Sequence, residues 1–149
     1  MIDIDKTKIR EIELEDFSKG CLELYEQSFD MNAGIISQKE FTEYILRKRK
    51  YNYKIFVYEY KRKIISIATC FVEEKLIHNF GKVSHIEDVI VDKNIRKSGL
   101  GKAMIEKCIS YSNSEDSYKI ILDCSIQNKF FYEKCGFEEK GCYMALYKK

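Results

Sequence analysis

The stretch "HIEDVIVDKNIRKSGLGKAM", residues 85–104, decides the fold. It begins as an Ile/Val run, Ile86 to Val91, of the β-branched kind that forms a buried strand. From Leu100 the period changes, and Leu100, Ala103, Met104, Cys108 and Tyr111 fall on one helical stripe. A basic, glycine-bearing turn joins the two. The first free N–H groups of the helix point into that turn and, with the helix dipole, make an anion site. Gly99 and Gly101 let a phosphate approach the main chain closely.

The turn is not a Walker A loop, because Ala103 stands where a magnesium-binding hydroxyl belongs. Nor is it a dinucleotide fingerprint, since Met104 fills the third glycine position. A pyrophosphate site without a metal is the functional reading left. An ordinary strand-to-helix turn with solvated lysines is the structural alternative.

Downstream, "YKIILDC" (118–124) reads as a second strand of the crossover unit. "SIQNKFFYEKCG" reads as a short helix with Ser125 or Asn128 as cap and Gly136 as its left-handed end, and a last strand runs from Phe137 to Tyr147. Upstream, Ile9 to Leu14 reads as a first strand, and Glu15-Asp16 opens a helix burying Phe17, Cys21, Leu24, Tyr25 and Phe29. "SQKE" (37–40) is a capping box that starts a helix ending near Lys50. "YKIFVYEY", "IISIATCFVEE", "KLIHNF" and "VSHIEDVIV" read as an antiparallel meander. The sum is one α/β domain, residues 1–149, with a mixed central sheet flanked by helices and ligands expected at the carboxyl ends of the crossover strands.

Glu87 and Asp88 are out of place in an apolar strand. An ionised carboxylate needs a cation, donors or a polar cavity there, and a bound amine supplies a cation. Period 2 sends the two acids to opposite faces unless a bulge intervenes. Pairing with neighbouring lysines is the structural alternative. Asp123, at the end of the adjacent strand, faces the same cleft or caps the next helix.

Composition narrows the partners. Lys and Arg number 26 against 24 Asp and Glu, a net charge of +2. That is far from a chain built to coat nucleic acid, so no nucleic-acid partner is expected. No apolar run approaches the ~20 residues that cross a bilayer, so no membrane partner is expected either. The six cysteines lack C-x-x-C spacing, which fits a reduced, cytoplasmic setting. Cys124 or Cys135 with His78 or His85 could compose a nucleophile and base, but Cys124 lies in an apolar strand with no helix terminus to activate it. No ligand spacing fits zinc.

Arg-x-x-Gly-x-Gly, with Arg96, Gly99 and Gly101 after an apolar strand, resembles the acetyl-CoA pyrophosphate loop of the GNAT acyltransferases. "KLIH", "HIEDVIV", "YKIILDC" and "NKFFYEKCGF" occur in the order and spacing of the glucosamine-6-phosphate N-acetyltransferases within that superfamily. The clear match runs from about Lys75 to Met144.

The resemblance implies a single GNAT domain that transfers acetyl from acetyl-CoA, without metal, to the 2-amino group of glucosamine 6-phosphate, a step towards UDP-N-acetylglucosamine. It implies that the backbone of Val89, Ile90 and Val91 pairs with the pantetheine arm. Arg96, Lys97, Ser98, Gly99, Leu100, Gly101 and Lys102 then cradle the pyrophosphate, with Asn128, Phe131 and Lys134 near the cofactor. Glu87 and Asp88 hold the sugar, Asp123 orients the amine or accepts its proton, and Tyr132 meets the leaving thiolate. Read without the family, Phe130, Phe131 and Tyr132 are core and Lys134 is a solvated lysine.

Lys75, His78 and Lys148 are the implied phosphate-side contacts, and the functional unit is a homodimer with shared sugar sites. Two departures stand out: Tyr147 where the family offers an arginine, and Met31-Asn32 where it carries threonine. Arg47 to Lys50 reads as a solvated helix end. A GNAT for another amine, polyamine or protein, and a CoA-binding sensor without turnover are the alternatives.

Overall fold

A computed structural model describes residues 2–148. Five strands form one sheet in the order β1-β2-β3-β4-β5: Ile9–Glu11, Tyr53–Tyr60, Lys63–Glu74, Lys82–Val91 and Ser117–Ile121. The first four are antiparallel, and β5 runs parallel to β4. Helices α1 (Cys21–Glu26) and α2 (Gln38–Lys48) cover one face. There Cys21, Leu24, Phe41 and Ile45 bury Ile55, Val57, Ile64, Ile67 and Ile90. A single turn, α3 (Ile77–Phe80), links β3 to β4. Helix α4 (Leu100–Ser114) covers the other face, its predicted stripe packed on Phe56, Ala68, Cys70 and Ile86. The last helix, α5 (Lys129–Glu133), brings Tyr132 against the same cluster, and Cys135, just beyond it, packs there too.

The capping box at Ser37 forms as read: Glu40 donates its N–H to the Ser37 hydroxyl, and the Glu40 carboxylate accepts from the Ser37 N–H at 2.8 Å. Helix α2 ends at Lys48, two residues short of the expected end. The helix expected from Glu15 divides into a 3-10 segment, Leu14–Lys19, and α1, because Gly20 takes φ 76° between them. Phe29 lies beyond α1 and is exposed.

Three further expectations are corrected. "KLIHNF" is no strand: it is the connection containing α3, in which His78, Asn79 and Phe80 all take positive φ. β5 ends at Ile121, so Asp123 and Cys124 lie in the coil beyond it, and both are exposed. Cys124 therefore does not sit in an apolar strand. The last strand is not formed: among the described residues nothing pairs with 137–148, and Met144 and Leu146 are 88% and 97% exposed.

Buried charge is matched locally. Asp16 is inaccessible and accepts two hydrogen bonds from Arg10, at 2.7 and 2.8 Å, and one from the Glu13 N–H. Burial works against its carboxylate, but Arg10, that N–H and Lys19 outweigh it and hold the group below the usual carboxylate range.

Candidate active site

The parallel ladder between β4 and β5 stops at His85–Ile121, while β4 runs on to Val91. Residues 86–91 therefore present one backbone edge to a gap rather than to a neighbour strand. A gap of this kind accepts an extended ligand arm by backbone pairing.

Within the gap β4 bulges. Glu87 pairs with Thr69 and Ile90 with Ile67, leaving an extra residue on β4. Asp88 takes φ 51° there, a left-handed conformation that Asp tolerates better than most side chains. Val89 and Val91 pack toward α4.

The acids gather at this point. Burial raises the Glu87 carboxyl, and the charges of Asp123 and Asp88 add to the rise. Burial raises Asp88 too, with Asp123 reinforcing it. The three carboxylates thus lie near enough to repel one another, Asp88 and Asp123 at exposed positions, with no lysine or arginine paired to any of them among the described residues. The lysine-pairing alternative for Glu87 and Asp88 does not hold. Such a cluster is a ready receptor for an amine.

Tyr132, on α5, packs against the core cluster under α4, its ring edge-on to Phe131 and Phe137 at 5.0 and 6.2 Å. Burial first, then nearby Cys124, Cys135 and Asp123, push its phenol up to about 12. It stays protonated at neutral pH and can donate to a developing thiolate. Phe131 lies against the glycine turn, since a Cβ built on Gly101 would meet its ring at 3.3 Å.

The turn itself is strained into a cradle. Lys97 and Gly99 take φ 67° and 87°. Nothing lies within 4 Å of a Cβ added at Gly99, so the concavity is open. The Leu100 N–H reaches the Ser98 hydroxyl at 3.3 Å, and Arg96 turns back to the Val91 carbonyl at 3.4 Å. The left-handed turn, the start of a fifteen-residue helix and three basic side chains fit a pyrophosphate.

Sequence reasoning missed what anchors this turn. Asp92 is buried directly before it and accepts from the Asn94 N–H at 3.0 Å and from Lys63 at 3.3 Å. Gln27, just past α1, accepts from the Lys93 N–H at 3.2 Å and reaches Asp92 at 3.4 Å. The acid that closes the Ile/Val run was the available signal.

The remaining predicted residues do not converge within this chain. Lys75 is held by Glu73 at 2.6 Å, and Glu73 also binds His85 at 2.9 Å. His78 packs on Tyr118 at 4.4 Å, near the start of β5, whereas Asp123 lies past its other end. Lys134 stands over Phe130 at 4.3 Å, and Asn128 and Lys148 are exposed. Asn128 and Ser125 precede helical segments without a side-chain capping bond.

A parallel β4–β5 ladder that stops short of the end of β4, a bulge beside that gap and an anion-binding turn that opens the crossover helix fit an acetyl-CoA-dependent acyltransferase. The model of the acetyltransferase (GNAT) family matches residues 8–137, and the chain belongs to that family. The glucosamine 6-phosphate N-acetyltransferase of Arabidopsis thaliana is 39% identical over 144 residues, 94% of this chain and 95% of that one. The glucosamine 6-phosphate N-acetyltransferase 1 of Dictyostelium discoideum is 38% identical over 96% and 92% of the two chains. The crystal structure of the Arabidopsis enzyme superimposes with a TM-score of 0.91 at 38% identity, over 95% of this chain and 98% of that one. An acetyltransferase structure from Trypanosoma brucei gives 0.84 at 33% identity, over 94% and 98%.

Proposed function

We propose that this enzyme acetylates the 2-amino group of glucosamine 6-phosphate, giving N-acetylglucosamine 6-phosphate and CoA. The observation that carries the reading is the convergence of Glu87, Asp88 and Asp123 on the gap beside the glycine turn. The Arabidopsis and Dictyostelium relatives carry the same activity in their names.

The thioester carbonyl of acetyl-CoA lies along the free edge of Val89 to Val91, where backbone N–H groups stabilise the oxyanion. The neutral amine attacks the carbonyl carbon, the C–S bond breaks, and the thiolate is met by the Tyr132 hydroxyl. The amine proton leaves to Asp123, to Glu87 or to water. A carboxylate raised by burial accepts that proton more readily at neutral pH than an ordinary one. Arg96 to Lys102 hold the pyrophosphate, and Asn128, Phe131 and Lys134 flank the cofactor.

The site is completed by a second copy. The exposed segment 137–148, with its apolar residues and Lys148, is an arm in need of a sheet edge, and β5 offers an open one. His78 and Lys75 then serve the partner's acceptor site rather than their own. Six free thiols fit a cytoplasmic setting, and the product is a precursor of UDP-N-acetylglucosamine. The test is CoA release with glucosamine 6-phosphate, glucosamine or spermidine as acceptor. Turnover confined to the phosphorylated sugar supports the reading, and turnover with the polyamine alone assigns a different amine.

A further inference from the structure

The hairpin between β2 and β3 carries residues ill suited to its shape. Tyr60 pairs with Lys63, so the loop is two residues long, and both of them, Lys61 and Arg62, take positive φ, 48° and 63°. A two-residue turn with positive φ at both positions favours Asn-Gly, and Lys or Arg is strained in it. Local stability therefore does not account for a Lys-Arg pair there. Both residues are exposed, and neither has a carboxylate within 4.0 Å among the described residues. Lys61 Nζ stands 5.3 Å from the centre of the Tyr60 ring, a contact that leaves its charge uncancelled.

The fold sets this charge beside the glycine turn. Lys63, the first residue of β3, reaches Asp92 at 3.3 Å, and the Asp92 N–H donates to the Ile65 carbonyl at 2.9 Å. The hairpin tip and the start of the turn thus share one end of the sheet, on adjacent strands whose axes lie about 4.8 Å apart. Past Asp92, the side chains of Lys93, Arg96, Lys97 and Lys102 are exposed and likewise have no carboxylate partner among the described residues. The acids at this end are already matched: Asp92 by Lys63 at 3.3 Å, and Glu59 by Arg10 and Lys19 at 2.8 Å each. A dense positive field results in a chain whose net charge is only +2. The other run of unpaired cations, Arg47 to Lys50, lies before Tyr53, at the opposite end of β2.

We propose that Lys61 and Arg62 form an electrostatic entry patch that draws the phosphates of acetyl-CoA toward the glycine turn, an inference that rests on the cofactor reading of that turn. The patch acts on the approaching anion and makes no lasting contact with it once bound. Acetyl-CoA carries a pyrophosphate and a ribose phosphate, and charges at the mouth of the site reach them across about a Debye length, ~10 Å at 0.1 M salt. Steering of this kind raises the association rate and leaves dissociation alone. The strained turn is kept for its charge, as strain is kept at other functional positions.

The experiment gives the tip the pair its shape prefers, Lys61→Asn with Arg62→Gly, and follows acetyl-CoA binding by stopped-flow tyrosine fluorescence, the chain having no tryptophan. The control, Arg47→Gln with Lys50→Gln, removes the same charge at the far end of β2. At about 0.02 M salt the tip variant associates about threefold more slowly than wild type with an unchanged dissociation rate, and the difference closes above about 0.5 M. The control binds as wild type does. The tip variant also melts about 3 °C higher, the opposite of what loss of a structural contact gives. Equal association rates at low salt, a difference that persists at high salt or appears in dissociation, an equal loss in the control, or a lower melting temperature each overturn the entry patch. A wild-type protein that binds no acetyl-CoA, or a Gly99→Val protein that binds it as wild type does, overturns the cofactor reading of the turn itself.

Discussion

Glu87 and Ile90 face the same side of the sheet although they are three positions apart, because Asp88 adds a residue to β4 and takes a left-handed φ of 51°. That extra residue holds two neighbouring acids just past the end of the β4–β5 ladder. A non-glycine residue at such a φ costs about 1 kcal/mol, and charge repulsion among three carboxylates adds to it. The fold bears this strain at the proposed amine site.

Neutralising an acid of the cleft is therefore expected to stabilise the protein while impairing it. The folded-state pKa of Glu87 is raised, so its protonated form is the one the fold favours, and wild-type stability falls as pH climbs through that raised value. Glu87→Gln removes the loss. Its melting temperature at pH 7 exceeds wild type by about 2 °C, and the difference closes below about pH 4. Calorimetry across that range checks both the sign and the window.

Tyr132→Phe keeps the ring contacts with Phe131 and Phe137 and removes only the hydroxyl. The kcat falls about 10–100-fold with both KM values nearly unchanged, because the hydrogen bond matters only as the thiolate forms. Steady-state kinetics with an unchanged circular dichroism spectrum is the check.

Gly99→Val places a β-branched residue at φ 87°. The cost is about 1–2 kcal/mol of stability, and the cradle closes over the pyrophosphate position. The KM for acetyl-CoA rises by about tenfold or more, while product inhibition by the acetylated sugar stays as in the wild type.

Removing residues 138–149 leaves every strand and helix described above in place. If the arm joins two copies, light scattering finds a dimer for the full chain and a monomer for the shortened one. Acceptor KM rises with the change of mass.

The crossover unit was legible because period carried it: the Ile/Val run, the glycines and the α4 stripe each follow from local chemistry. The same reading failed at "KLIHNF", where three successive residues leave the right-handed regions, a choice no side-chain pattern encodes. It failed at 137–147 for a different reason. The alternating pattern is there, but a strand needs a neighbour, and among the described residues nothing is paired with this one. At the site, the acids and glycines stood out as exceptions to their surroundings. Gln27 did not, because its role comes from contacts between elements far apart in sequence.

The most direct test of the whole account is release of CoA from acetyl-CoA, followed with a thiol reagent, in the presence of glucosamine 6-phosphate, glucosamine or spermidine. The account predicts rapid release with glucosamine 6-phosphate and at least about tenfold lower kcat/KM with the unphosphorylated sugar. Release with spermidine but not with the sugar phosphate would contradict it.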